Sequence, residues 1–215
     1  MKRTTCAALA TLVAVSFLAV GNVAAQNPAH NHIGHVTDAW RDTPDGEGLL
    51  PAAIAEAEIA ARHAGLAASD PSNFVSMKRH TTHVLHAVDP SQIENGPGRG
   101  YGVKRGAAGA AQHITAAANS EGASGAVQTH AVHVATSAQN TVARADAIVA
   151  LAQRIARTTT AADAAPLVAE LNDLAQALLS GVDANDDGRT GWQEGEGGLE
   201  VAATHANLMK QAEGL

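Results

Sequence analysis

Gly125-Ala-Val-Gln-Thr-His130-Ala-Val-His133-Val-Ala-Thr-Ser-Ala138-Gln-Asn-Thr-Val-Ala-Arg144-Ala-Asp-Ala-Ile-Val-Ala-Leu151-Ala-Gln-Arg-Ile-Ala-Arg157 decides the fold class. Val127, Val134, Ala138, Ala145 and Val149 recur at helical spacing and form one apolar stripe. Alanine, the best helix former, fills much of the rest. The spacing predicts one long helix, or two with a bend.

Working outward, the same texture repeats. Pro51 to Ser69 reads as a helix with proline near its first turn. Asn73 to Val88 is a second, Val103 to Asn119 a third, Asp163 to Val182 another and Glu194 to Gln211 the last. Asp70-Pro71-Ser72, the glycine-rich stretch within Asp89 to Gly102, Glu121-Gly122 and Thr158 to Ala162 are the breaks. Short connections favour antiparallel neighbours, so the expected fold is all-α. It is an antiparallel bundle of about five or six helices over residues 49–215. Residues 26–48 read as a flexible, histidine-bearing N-terminal segment.

Composition narrows the function. Alanine is 49 of 215 residues, aromatics are 2%, and the formal charge is −7. An acidic chain with few rings has neither a basic stripe for phosphate nor a stacking platform for bases, which speaks against nucleic acid. Met1-Lys2-Arg3, the apolar stretch Ala7 to Val20 and Val23-Ala24-Ala25 form a signal-peptide pattern, with cleavage expected before Gln26. Cys6, the one cysteine, would leave with residues 1–25. The remaining chain would carry a charge of 12 − 21 = −9, have no thiolate ligand, and contain no second long apolar run. The product is expected to be exported, periplasmic or secreted, with no membrane span after cleavage.

Asp183-Ala-Asn185-Asp-Asp187-Gly188-Arg189-Thr190-Gly191-Trp192-Gln-Glu194 carries an acidic or amide residue at loop positions one, three and five, glycine at six and glutamate at twelve. It resembles the calcium loop of EF-hand proteins, over these residues and their flanking helices only. The resemblance implies Ca²⁺ held by Asp183, Asn185, Asp187, the Arg189 carbonyl and both oxygens of Glu194, with a water opposite Gly191. Thr190 stands where the family usually has an aliphatic residue, and Gly195, Gly197 and Gly198 weaken the start of the exiting helix. With no second loop to pair with, such a site would staple the last two helices rather than switch between states.

Eleven histidines are the second signal. His80-Thr-Thr-His83-Val and His130-Ala-Val-His133-Val repeat one string, and residues three apart share a helix surface. Neutral imidazole suits Zn²⁺, Cu²⁺, Ni²⁺ or haem iron. His80, His83, His130 and His133 are therefore candidate transition-metal ligands, provided their helices meet at matching height. His113 shares its face with Gly106, Gly109, Ala110, Ala116 and Ala117, which leaves space for a packed helix or for a flat cofactor. His63 and His113 are accordingly the candidates for a non-covalent haem. His30-Asn-His32-Ile-Gly-His35 is a candidate ion scavenger within a mobile segment. An internal echo links Glu58-Ile-Ala-Ala-Arg-His63-Ala to Glu200-Val-Ala-Ala-Thr-His205-Ala, and each copy follows a Trp and a Gly-Glu-Gly (Trp40, Trp192).

No hydrolase, zinc-protease, phosphate-loop or dinucleotide motif is present. The residues therefore point to an exported metal-binding protein, with calcium stapling the C-terminal pair and a second metal on the histidine helices. A haem or electron-transfer bundle and a metal-dependent enzyme are the alternatives.

Overall fold

The computed structural model describes residues 27–215, so the signal-peptide assignment lies outside the described residues. Among them the chain is all-α, with seven helices and no strand: α1 Pro28–Thr37, α2 Leu49–Ala68, α3 Phe74–Val88, α4 Val103–Ala118, α5 Gly125–Arg157, α6 Ala161–Ser180 and α7 Leu199–Glu213. No described helix is long and apolar enough to cross a membrane.

Side-chain caps set most starts. The Asn27 side chain accepts from the Ala29 amide, Asn73 from Ser76, Ser124 from Val127 and Thr160 from Asp163. The long segment is one unbroken helix of 33 residues. Val127, Val134, Ala138 and Ala145 of its stripe are fully buried, and α5 packs against α3, α4, α6 and α7. The core is largely alanine, so helix axes come close. A β-carbon at Gly106 would lie 2.9 Å from that of Ala53, and one at Gly109 would lie 2.9 Å from the Leu49 side chain. At Gly106 and Gly109 the small-residue face of α4 is thus filled by α2, the packed-helix alternative.

Two expectations are corrected. Residues 27–48, expected to be flexible, carry a helix. α1 carries His30, His32 and His35 and buries Ala29, Ile33 and Val36 against the core, where it packs on α4. Its apolar residues recur at i, i+4 and i+7, a stripe that the interspersed histidines and asparagine mask. The last helix begins at Leu199, not Glu194. Gly195 sits at φ +84°, and Gly197 and Gly198 press so tightly on Ser137 and on the Leu179 carbonyl that a β-carbon would lie 2.4 Å from each. The buried Arg144 guanidinium donates to the carbonyls of Gly195 (2.6 Å), Glu196 and Gly197 (2.8 Å), while Asn140 bonds the Gln193 carbonyl and the Gly195 amide. Those carbonyls are held by α5, so the segment stays a turn.

Candidate metal centres

The helices gather nine of the eleven histidines into three triads: His32, His35 and His113; His63, His80 and His83; His130, His133 and His205. Each is built alike. Two histidines one turn apart on one helix face a single histidine on a packed neighbour, across α1–α4, α2–α3 and α5–α7. In every triad the lone histidine presents Nδ1 to both Nδ1 atoms of the pair. His113 lies 3.0 Å from His32 and 3.4 Å from His35. His63 lies 3.0 Å from His80 and 3.3 Å from His83. His205 lies 3.1 Å from His130 and 3.2 Å from His133.

These separations suit a shared ion. A metal about 2.0–2.1 Å from tetrahedrally disposed nitrogens sets them about 3.3–3.4 Å apart. A single N–H among three ring nitrogens leaves two lone pairs facing one another, whereas one cation accepts all three. Burial and neighbouring charge disfavour protonation of seven of the nine rings. Burial, then His83, His80 and Arg62, push His63 down to about 4. Burial also lowers His113 and His35, with their triad neighbours adding to it, and lowers His133 and His205 in the same way. His80 and His83 are lowered by burial and then by Arg79. Neutral imidazole is the metal-binding form.

Both tryptophans stand beside a triad. The Trp40 ring centroid is 4.7 Å from that of His35 and 4.6 Å from that of His113. Trp192 stacks on His133 at 4.2 Å and 23°. The α2–α3 triad has no indole in contact. The two histidines left over have other partners: His30 Nε2 pairs with Glu213 at 2.8 Å, and His86 Nδ1 accepts from the Gly98 amide.

The sequence-level candidates are therefore regrouped. His80/His83 and His130/His133 do not meet each other; each pair closes with a different lone histidine. His63 and His113 belong to separate triads and do not face one another across a haem. His32 and His35, expected only as an ion scavenger within a mobile segment, and His205, expected only as part of the echo, are triad members. The third H-x-x-H string at His32–His35 was the available signal for the first two. The signal for the last was the echo, since His63 and His205 are its matched residues and are both lone ligands.

In the acidic loop, Asp183 accepts from the Asp187 amide (3.1 Å) and the Gly188 amide (2.8 Å), Asn185 from Asp187 (2.9 Å), and Asp187 from Arg189 (2.9 Å). Asp186 and Gly188 take positive φ. Glu194 is exposed in the turn ahead of α7. Glu196 instead folds inward, 2% exposed, and accepts from the Gly191 amide at 2.8 Å. No protein-family model matches the chain, and no curated protein or solved structure matches it.

Proposed function

We propose that the protein is an exported metal-binding protein that carries or stores three transition-metal ions, one in each histidine triad. The observation that carries this reading is the threefold recurrence of one construction, a one-turn histidine pair closed by a lone Nδ1 at 3.0–3.4 Å. Three imidazoles hold an ion and leave a coordination position open, which suits loading and release. Elemental analysis of the mature chain, purified without chelator and loaded with metal, should give three ions per chain. His113→Asn, His63→Asn and His205→Asn should each remove one. A content unchanged by all three variants would sink the proposal.

A second reading concerns the acidic loop. Both oxygens of Asp183 are oriented by the amides at loop positions five and six, which favours Ca²⁺ at Asp183, Asn185, Asp187, the Arg189 carbonyl and Glu194. Bound there, the ion would brace the α6–α7 connection. Calcium should raise the melting temperature of the wild type, and Glu194→Gln should cut that rise sharply by removing the closing carboxylate. An equal rise in the variant refutes the calcium assignment.

A further inference from the structure

We infer that the ion the triads are built for is monovalent copper. The inference rests on the proposal that the triads hold metal at all, and it names the ion. Four observations converge on it.

The donor set is uncharged. Each triad contains histidine only, with no Asp or Glu among the converging groups. Nothing in the site neutralises the ion, so its charge decides the cost of taking it from water. That cost grows as the square of the charge, about fourfold from a monovalent to a divalent ion.

The outer shell is equally bare. Ligating histidines usually donate their second ring N–H to a carboxylate, a carbonyl or water, and a carboxylate there strengthens the imidazole and offsets the charge of the ion. Among the described residues, none of the nine Nε2 atoms has a protein hydrogen-bond partner. None is a buried orphan either, because among the described residues the only fully buried unpartnered side-chain atoms are the Thr81 and Ser137 hydroxyl oxygens. The second ring nitrogens are therefore left to solvent, and no protein carboxylate strengthens the donors.

The neighbours are soft or positive. Trp40 and Trp192 give two triads an indole wall, which suits a weakly hydrated cation. The Arg41 guanidinium lies 5.9 Å from the centre of the Trp40 ring. Arg62 and Arg79 adjoin His63 and His80 in sequence at the triad without an indole. Each arginine penalises a divalent ion twice as heavily as a monovalent one.

The coordination number agrees. Three nitrogens converge, and among the described residues no fourth His, Cys, Asp or Glu joins them. A closed-shell monovalent copper ion needs no more than these three, whereas Zn²⁺ and Cu²⁺ would have to draw their remaining ligands from solvent at the open position.

The test is an anaerobic titration of the metal-free mature chain with Cu(I), in competition with a coloured Cu(I) chelator. Zn²⁺ and Cu²⁺ are titrated in parallel, and Ag(I) serves as an air-stable stand-in. Three equivalents of Cu(I) should leave the chelator. Zn²⁺ and Cu²⁺ should bind at least about 100-fold more weakly, a difference of about 2.7 kcal/mol. Tryptophan emission should fall as the two indole-walled triads fill. His63→Asn should lose one equivalent with the emission change intact, and His205→Asn should lose one together with the Trp192 share of it. Three equivalents of Zn²⁺ or Cu²⁺ held as tightly as Cu(I) would overturn the choice of ion and leave the three-site reading standing. Retention of no ion of any kind would overturn both.

Discussion

His63 shows what the packing of a triad does to a single imidazole. It is 7% exposed and faces two other rings, so its proton is expelled and its pKa falls to about 4. In the unfolded chain the same ring titrates near the ordinary value of about 6.5. Below that pH the unfolded state takes up the proton and the native state does not, so stability is lost as pH falls from about 6.5 to about 4. The melting temperature of metal-free protein should therefore decline across this window. His63→Gln should flatten the decline, and a slope unchanged by the substitution would contradict the assignment. A bound ion should also persist below pH 6.5, because fewer protons compete for the nitrogen. At this scale the sequence is half legible. H-x-x-H shows which histidines share a helix face. The ring that closes each site comes from 17 residues away at His63–His80 and from about 80 away at His32–His113, a separation that local spacing does not encode.

At the scale of elements, helix existence was readable from alanine content and stripe spacing, and α5 is the clearest case. The start of α7 was not, because it depends on a side chain from another helix. Arg144 reads as one polar residue among many on α5, yet it is 7% exposed, and burial lowers its pKa. Its three acceptor carbonyls hold Gly195 to Gly197 out of helical geometry, and the same turn carries Trp192 onto His133. Arg144→Met should strand those carbonyls and cost about 3 kcal/mol in unfolding free energy, read from urea denaturation. It should also weaken metal binding in the α5–α7 triad before the other two, seen as early loss of one equivalent in a chelator challenge. Equal loss from all three triads would show that the turn does not position that site. α1 carries the reverse lesson. Its stripe of Ala29, Ile33 and Val36 was present in the sequence but is only three residues deep, and it becomes a helix because α4 supplies the surface it packs on.

At the scale of the molecule, six of the seven helices each contribute to one triad and no helix serves two, while α6 contributes to none. Filling one site therefore moves no ligand of another, and binding should be non-cooperative, each single-site variant leaving the other two affinities unchanged. The same arrangement makes the ions clamps. An alanine core gains little from each buried side chain, whereas an ion bound only by the folded chain stabilises it by about 2.7 kcal/mol per site at a free concentration of 100 times Kd. Three such sites sum to about 8 kcal/mol, which for a chain of this size raises the melting temperature by about 20 °C. The metal-free melting temperature of the triple variant His63→Asn, His113→Asn, His205→Asn sets the baseline for the comparison. The variant should gain almost nothing from Cu(I) supplied anaerobically. Hydrogen exchange gives the spatial form of the same prediction. On loading, protection should rise where α1 meets α4, α2 meets α3 and α5 meets α7, and least in α6, because only the paired helices are tied to one another through an ion.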